Sequence, residues 1–213
     1  MFDDVKERLQ GCVYTIFTPF DEQENIDYLA IDRYLEKEPS SFRRGGSCGL
    51  EGRLQPLGGD VITREPTLIM DADVVFPREF LRRLVSSAAA QAFLIDEGFA
   101  DTGEEVKIYL HGDRVIALGK KVVPRAWDRI GEGIGFFKCG PEAGRELVGL
   151  LAQVIDESQG GCEYEDALHL LVSRQRVEAV DVTGLPWTEV DFAEDLHRAQ
   201  SEVYPAIARL EGT

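Results

Sequence analysis

The chain has 213 residues, with 23 Lys and Arg against 39 Asp and Glu, and a formal net charge of −16 at pH 7. That excess of carboxylates excludes nonspecific nucleic-acid binding, which needs clustered cations to neutralise phosphates, and it disfavours an anionic membrane surface. With 44% hydrophobic and 29% charged residues the composition is that of a globular domain, and no apolar run approaches the roughly 18–20 residues of a membrane span.

The opening Met1-Phe2-Asp3-Asp4 has neither a basic nor an apolar leader segment, so no signal peptide is read there. Cys12, Cys48, Cys139 and Cys162 are widely spaced without a Cys-x-x-Cys pair. A zinc knuckle is disfavoured, and reduced thiols in a cytoplasmic protein are expected. Residues 3–10 read as a short helix, 12–17 as an apolar strand, Thr18-Pro19-Phe20 as a turn and 27–36 as a helix. Residues 38–66 are rich in Gly, Pro, Ser and Arg, which is loop chemistry and a long junction for a compact domain.

From residue 67 the pattern sharpens. Residues 67–70 form a short apolar strand ending in Asp71-Ala72-Asp73. Pro77 opens a helix expected to run to Ala90, since proline is favoured in a first helical turn. Residues 93–95 are a strand, and 106–110 and 114–118 flank His111-Gly112-Asp113 as a hairpin. Residues 134–138 read as a strand, 141–158 and 164–174 as helices, 177–182 as a strand and 192–210 as one closing helix. The alternation predicts an α/β fold with a mostly parallel sheet and one hairpin insertion.

Several constellations carry chemistry. Asp71 and Asp73 sit at the carboxyl end of an apolar strand, where open α/β sheets bind ligands, and would point to one side of an extended chain. Two such carboxylates repel unless a cation or proton intervenes, and hard oxygens suit Mg²⁺ bridged to phosphates. The plainer alternative is that one of them caps the next helix. Asp191, in Pro186-Trp187-Thr188-Glu189-Val190-Asp191-Phe192, precedes a helix and reads on its own as that helix's N-cap. Glu132, within Gly131-Glu132-Gly133-Ile134-Gly135, marks either close approach of a ligand to backbone or a tight turn. Tyr164 and Glu165, in Glu163-Tyr164-Glu165-Asp166, either open a helix favourably or cage a cationic head group. Lys107 and Lys120, near the hairpin, either meet phosphate or are exposed edge lysines.

Taken in order, LIMDADVVF, GEEVK, GDRVIALGK, GEGIGFFK, YEDAL and PWTEVDFAEDLHRA resemble the nucleotidyltransferase family of phosphocholine and phosphonoalkyl cytidylyltransferases. The resemblance covers about two-thirds of the chain, from Thr67 onward. It implies a three-layer, Rossmann-like fold, with Asp73 and Asp191 as Mg²⁺ ligands. It also implies transfer of a cytidylyl group from CTP to a phosphoalkylamine, phosphocholine or 2-aminoethylphosphonate in type, with release of pyrophosphate. Lys107 and Lys120 would meet the acceptor's phosphate or phosphonate, and Glu132, Glu165, Tyr164 and Trp187 the alkylamine end. Catalysis would be positioning and charge neutralisation, without a protein nucleophile. A sugar 1-phosphate acceptor, and a non-catalytic binding module, are the rival readings.

The family's nucleotide-gripping loop has the form G-x-G-x-R-L-x-P-L. Here Gly49-Leu50-Glu51-Gly52-Arg53-Leu54-Gln55-Pro56-Leu57 keeps the Arg-Leu-x-Pro-Leu portion, with Glu51 in place of the second glycine. Gly49 and Arg53 are the expected nucleotide contacts. The usual Pro-Lys and the two βα units after it are missing, so 46–213 reads as a truncated nucleotidyltransferase-like domain and 1–45 as an N-terminal extension. A sheet truncated in this way invites pairing of two chains at its edge. Within the extension, Gly11-Cys-Val-Tyr-Thr-Ile-Phe-Thr18-Pro19-Phe20 followed by Ile26-Asp27 resembles the start of the dihydrodipicolinate synthase family. The match stops before that family's Schiff-base lysine, so no aldolase activity is implied.

Overall fold

The computed structural model describes residues 63, 64, 66–71, 73–158 and 163–212. Gly49, Arg53, the 1–45 extension and its lyase-like stretch lie outside the described residues.

Strands β1 (Thr67–Met70), β6 (Arg129–Cys139) and β3 (Ala92–Asp96) lie side by side in the main sheet. Their apolar side chains alternate between two cores, as period-two strands must when both faces are covered. Ile69, Phe93, Ile95, Phe137 and Cys139 face one core, shared with Leu147 and Leu150 of α2 (Pro141–Ser158) and Leu168 and Leu171 of α3 (Tyr164–Arg174). Leu68, Leu94, Ile134 and Phe136 face the other, under Phe80 and Leu84 of α1 (Arg78–Ser86). Helix, sheet and helix make the expected three layers. Phe93 stacks on Phe137 at 4.5 Å in the first core, and Phe76, Phe80 and Phe136 cluster in the second.

The six-stranded sheet has the order β1-β6-β3-β7-β5-β4, with β4 (Lys107–His111), β5 (Arg114–Gly119) and β7 (Glu178–Asp181); β4 also pairs with β6. The hairpin β4–β5 falls where the sequence places it. The mixed α/β class holds, but the expected predominance of parallel pairs does not. Among the described residues only β3 and β7 pair in parallel. The cause is β6, which leaves the hairpin and inserts antiparallel between β1 and β3. A βα alternation shows that β1 and β3 run the same way; it does not show that another strand separates them.

Three boundaries also differ. Helix α1 ends at Ser86 rather than Ala90, because Ser87 turns extended and the Lys138 ammonium donates to the carbonyls of Val85 and Ser87. The run Gly131–Gly135 is not a turn but the interior of β6. The closing helix is broken into α4 (Ala193–Arg198), a π-turn at Ala199–Val203, and α5 (Tyr204–Glu211). Pro205 explains the break. It has no N–H for the turn before it and its ring crowds the carbonyl four residues back, so the helix widens there. The Tyr204 N–H reaches the Ala199 carbonyl, five residues back. No helix among the described residues is long and apolar enough to cross a membrane.

Candidate active site

A cavity of about 980 Å³ opens where β1, β3 and β5 end and α3 begins. Asp73 follows β1, and Asp191 lies 118 positions later in the sequence. A small second sheet brings them together. Strand β2 (Val74–Val75) pairs antiparallel with β8 (Thr188–Glu189), Val74 opposite Glu189, and the Val190 N–H donates to the Asp73 carbonyl at 2.9 Å. Neither carboxylate serves as a helix cap. Pro77 is the N-cap of α1, and Phe192 is that of α4, its N–H taken by Asp195 at 3.0 Å. The capping alternative is therefore removed for both.

Asp71 is packed more tightly still. Its N–H donates to the Gly135 carbonyl at 2.9 Å, and its carboxylate accepts from the Tyr164 hydroxyl at 3.3 Å. Gly135 has φ +73°, and a Cβ there would lie 1.9 Å from Asp71 Oδ2. Only glycine combines that dihedral with that approach.

Carboxylates dominate the lining, and burial raises several of them. Asp71 is pushed up to about 7 by burial first, then by Asp73 and Glu165. Glu132 reaches about 7 by burial and then by Glu189, while Arg198 opposes. Glu165 reaches about 7 by burial, with Glu163 adding and Lys120 opposing. Asp73 is raised by burial and by Asp191, and Glu189 by burial and by both of those. A partly buried pocket of like charges is a setting in which a bound cation lowers free energy.

Of the residues picked from the sequence, Asp73, Asp191, Lys120, Glu132, Glu165, Tyr164 and Trp187 all line this cavity. Capping of α3 falls to Asp166, which accepts the Glu163 N–H, so Glu165 is left to face inward. Tyr164 spends its hydroxyl on Asp71. Lys107 is a correction: it does not line the cavity, and its ammonium lies 2.7 Å from Asp101. A lysine at a strand start finds the nearest loop carboxylate before it finds a ligand. Among the lining residues that escaped the sequence reading are Asp96, Glu189 and Arg198. Asp96 ends the apolar β3 and accepts the Trp187 indole N–H at 2.9 Å. Its signal was the one used for Asp73, a carboxylate at the carboxyl end of a buried strand. Glu189 and Arg198 sit in the quoted motif, with no local feature to distinguish them from solvated residues.

Among the described residues no three His, Cys, Asp or Glu are arranged as a metal cage. Asp73 and Asp191 supply two hard oxygen groups, which suits Mg²⁺ because that ion takes one or two carboxylates and completes its shell with water and phosphate.

No protein-family model matches the chain. Two curated proteins do. A bifunctional IPC transferase and DIPP synthase of Thermococcus kodakarensis is 28% identical over 129 residues, 61% of this chain and 27% of that protein. One of the same description from Rubrobacter xylanophilus is 31% identical over 144 residues, 65% of this chain and 30% of that protein. The chain is similar to cytidylyltransferase-like nucleotidyltransferases. It spans less than a third of the length of the curated relatives it matches. Among solved structures, the inositol-1-phosphate CTP transferase from T. maritima matches with TM-score 0.52 at 18% identity, over 73% of this chain and 60% of that one. The CTP:phosphocholine cytidylyltransferase from Streptococcus pneumoniae matches with TM-score 0.53 at 11% identity, over 81% and 73%. At those identities the likeness concerns the fold, and it is the nucleotidyltransferase fold that the sequence order of motifs implies.

Proposed function

We propose that this nucleotidyltransferase relative transfers a cytidylyl group from CTP to a phosphorylated small molecule. An acceptor phosphate oxygen attacks the α-phosphorus of CTP, the bond to the β-phosphate oxygen breaks, and pyrophosphate leaves. The convergence of Asp73 and Asp191 at one cavity carries this reading. These two carboxylates would hold Mg²⁺, which when bound neutralises charge on the reacting phosphates. Lys120 adds a positive charge on the cavity wall, and Gly49 and Arg53 are the proposed nucleotide contacts. The protein's own contribution is orientation and charge placement, which is how most phosphoryl-type transfer is accelerated.

For the acceptor, a phosphorylated cyclitol of the inositol-1-phosphate type stands first, supported by the names of the two curated relatives and of the T. maritima structure. A phosphoalkylamine stands second, favoured by Glu132, Glu165 and Trp187 on the cavity wall, which suit a cation. The test is pyrophosphate release from CTP and Mg²⁺ with inositol-1-phosphate, phosphocholine, 2-aminoethylphosphonate and glucose-1-phosphate in separate reactions. Turnover with one acceptor, lost in Asp73→Asn and Asp191→Asn, is expected. Silence across the panel, from a folded protein that still binds an acceptor by calorimetry, would establish the binding-module alternative instead.

A further inference from the structure

Any substrate of the proposed reaction brings phosphate charge into a cavity walled by carboxylates, so the cations on its wall decide how that charge is held. Among the described residues they are Lys120 and Arg198. Lys120 already faces Glu163 at 3.8 Å. Arg198 is differently placed. It is the last residue of α4, immediately before the π-turn that Pro205 imposes. Its Nη2 donates to the Thr188 hydroxyl and lies 3.6 Å from Asp195 Oδ1. Asp195 is itself occupied by the Phe192 N–H through its other oxygen. Among the described residues no hydrogen bond is made by Arg198 Nε or Nη1. A guanidinium carries five N–H donors in a fixed fork, so most of this one remains open to a ligand. Its side chain is 53% exposed, enough to face the cavity. Thr188, by contrast, is 2% exposed and stands three residues before Asp191. The guanidinium is therefore anchored at one nitrogen to the strand that delivers the metal-ligand candidate, with its other donors unspent.

We propose that Arg198 binds a phosphate oxyanion of the substrates in this cavity, using the donors that Thr188 and Asp195 leave open. The inference rests on the cytidylyltransferase reading for what the ligand is, and on the placement of Arg198 for where its charge is met. The competing account makes Arg198 a clasp that closes residues 188–198 through Thr188 and touches no ligand. The two accounts part on which partner matters.

The full chain and the variants Arg198→Ala, Arg198→Gln, Arg198→Lys and Thr188→Val are titrated by calorimetry with three probes: CTP with Mg²⁺, inositol-1-phosphate, and inorganic pyrophosphate with Mg²⁺. Arg198→Gln keeps a donor for Thr188 and removes the charge, so it reports on the ligand even where Arg198→Ala fails to fold. Arg198→Ala and Arg198→Gln are expected to weaken at least one probe tenfold or more, because a charge-assisted hydrogen bond to phosphate is lost. Arg198→Lys recovers part of that loss, and Thr188→Val stays within twofold of the parent chain. Loss confined to CTP and pyrophosphate assigns the anion to the nucleotide; loss confined to inositol-1-phosphate assigns it to the acceptor. Three outcomes overturn the proposal: Arg198→Gln within twofold for every probe, Thr188→Val as damaging as Arg198→Gln, or no binding of any probe by the parent chain. Turnover is scored separately. An inactive parent chain whose phosphate binding depends on Arg198 refutes the reaction and keeps the anion site; an active one with unchanged constants in Arg198→Gln does the reverse.

Discussion

Gly135→Ala tests the tightest feature of the cavity. Gly135 has φ +73°, and the added Cβ would stand 1.9 Å from Asp71 Oδ2, 2.5 Å from Cγ and 2.9 Å from Cβ. The left-handed conformation alone costs an alanine about 1–2 kcal/mol. Rotating the Asp71 carboxylate away does not relieve the contact with its Cβ, and the Asp71 backbone is tied to the Gly135 carbonyl at 2.9 Å. Moving Asp71 also strips the Tyr164 hydroxyl of its acceptor, and an unsatisfied buried donor costs roughly 1–3 kcal/mol. Together the loss is about 2–5 kcal/mol, which for a domain of this size lowers Tm by roughly 5–15 °C. The assay is urea and thermal denaturation of the full chain. Asp71→Ala combined with Gly135→Ala should destabilise by less than the sum of the two, since part of the clash is shared. Gly149, exposed on α2 with nothing within 4 Å of its added Cβ, is the internal control. Gly149→Ala should stabilise by about 0.5–1 kcal/mol. A Gly135→Ala chain as stable as its parent would refute the packing of Asp71 over β6.

Further outcomes follow from the same wall of acids. Glu132 and Glu165 sit near 7 in the fold against an ordinary 4.5. Between those values the folded chain keeps protons that the unfolded chain has released, so stability falls as pH rises toward 7 and beyond. Urea midpoints should be higher at pH 5.5 than at pH 8, and a double Glu132→Gln, Glu165→Gln chain should flatten the dependence; an unchanged slope would place the effect elsewhere. Asp73→Asn removes a repulsion with Asp191 and Glu189, so without Mg²⁺ it should raise Tm slightly, the gain shrinking with added salt. The same change should abolish any rise in Tm on adding Mg²⁺ with CTP, measured by calorimetric melting. Trp187→Phe deletes the 2.9 Å hydrogen bond to Asp96 and should cost about 1–2 kcal/mol by denaturant titration.

Much of this architecture was legible in the sequence because it rests on periodicity. Strands at residues 67–70 and 93–95, the hairpin around Gly112, and helix α3 at Tyr164–Arg174 are found where the alternation of apolar residues puts them. Asp73 and Asp191 were legible as a pair through the order of motifs, which encodes their meeting without encoding how. The agent of that meeting, a two-residue ladder between β2 and β8, is too short to leave a pattern. The insertion of β6 between β1 and β3 was hidden for a related reason. Side-chain alternation reports which face is buried, and strand neighbours are chosen by the chain's path. Lys107 and Arg198 show the same limit for charge. Both are cations in an acidic chain, and only the fold sends one to Asp101 and the other to the cavity wall. The reading of 192–210 as one helix passed over Pro205, whose consequence is a widened turn rather than an end.

The ladder that joins Asp73 to Asp191 has consequences for how the domain breathes. It consists of Val74 and Val75 against Glu189 and Thr188, with one further bond from Val190, whereas β6 alone is held by β1, β3 and β4. Local opening follows the fewest bonds broken, so the amide of Val190 should exchange with solvent long before those of Phe136 and Phe137. Asp73 and Asp191 then separate while the main sheet stays intact. A ligand that bridged Asp73 and Asp191 would act as the missing rungs, and its arrival would fasten the C-terminal helices to the rest of the molecule.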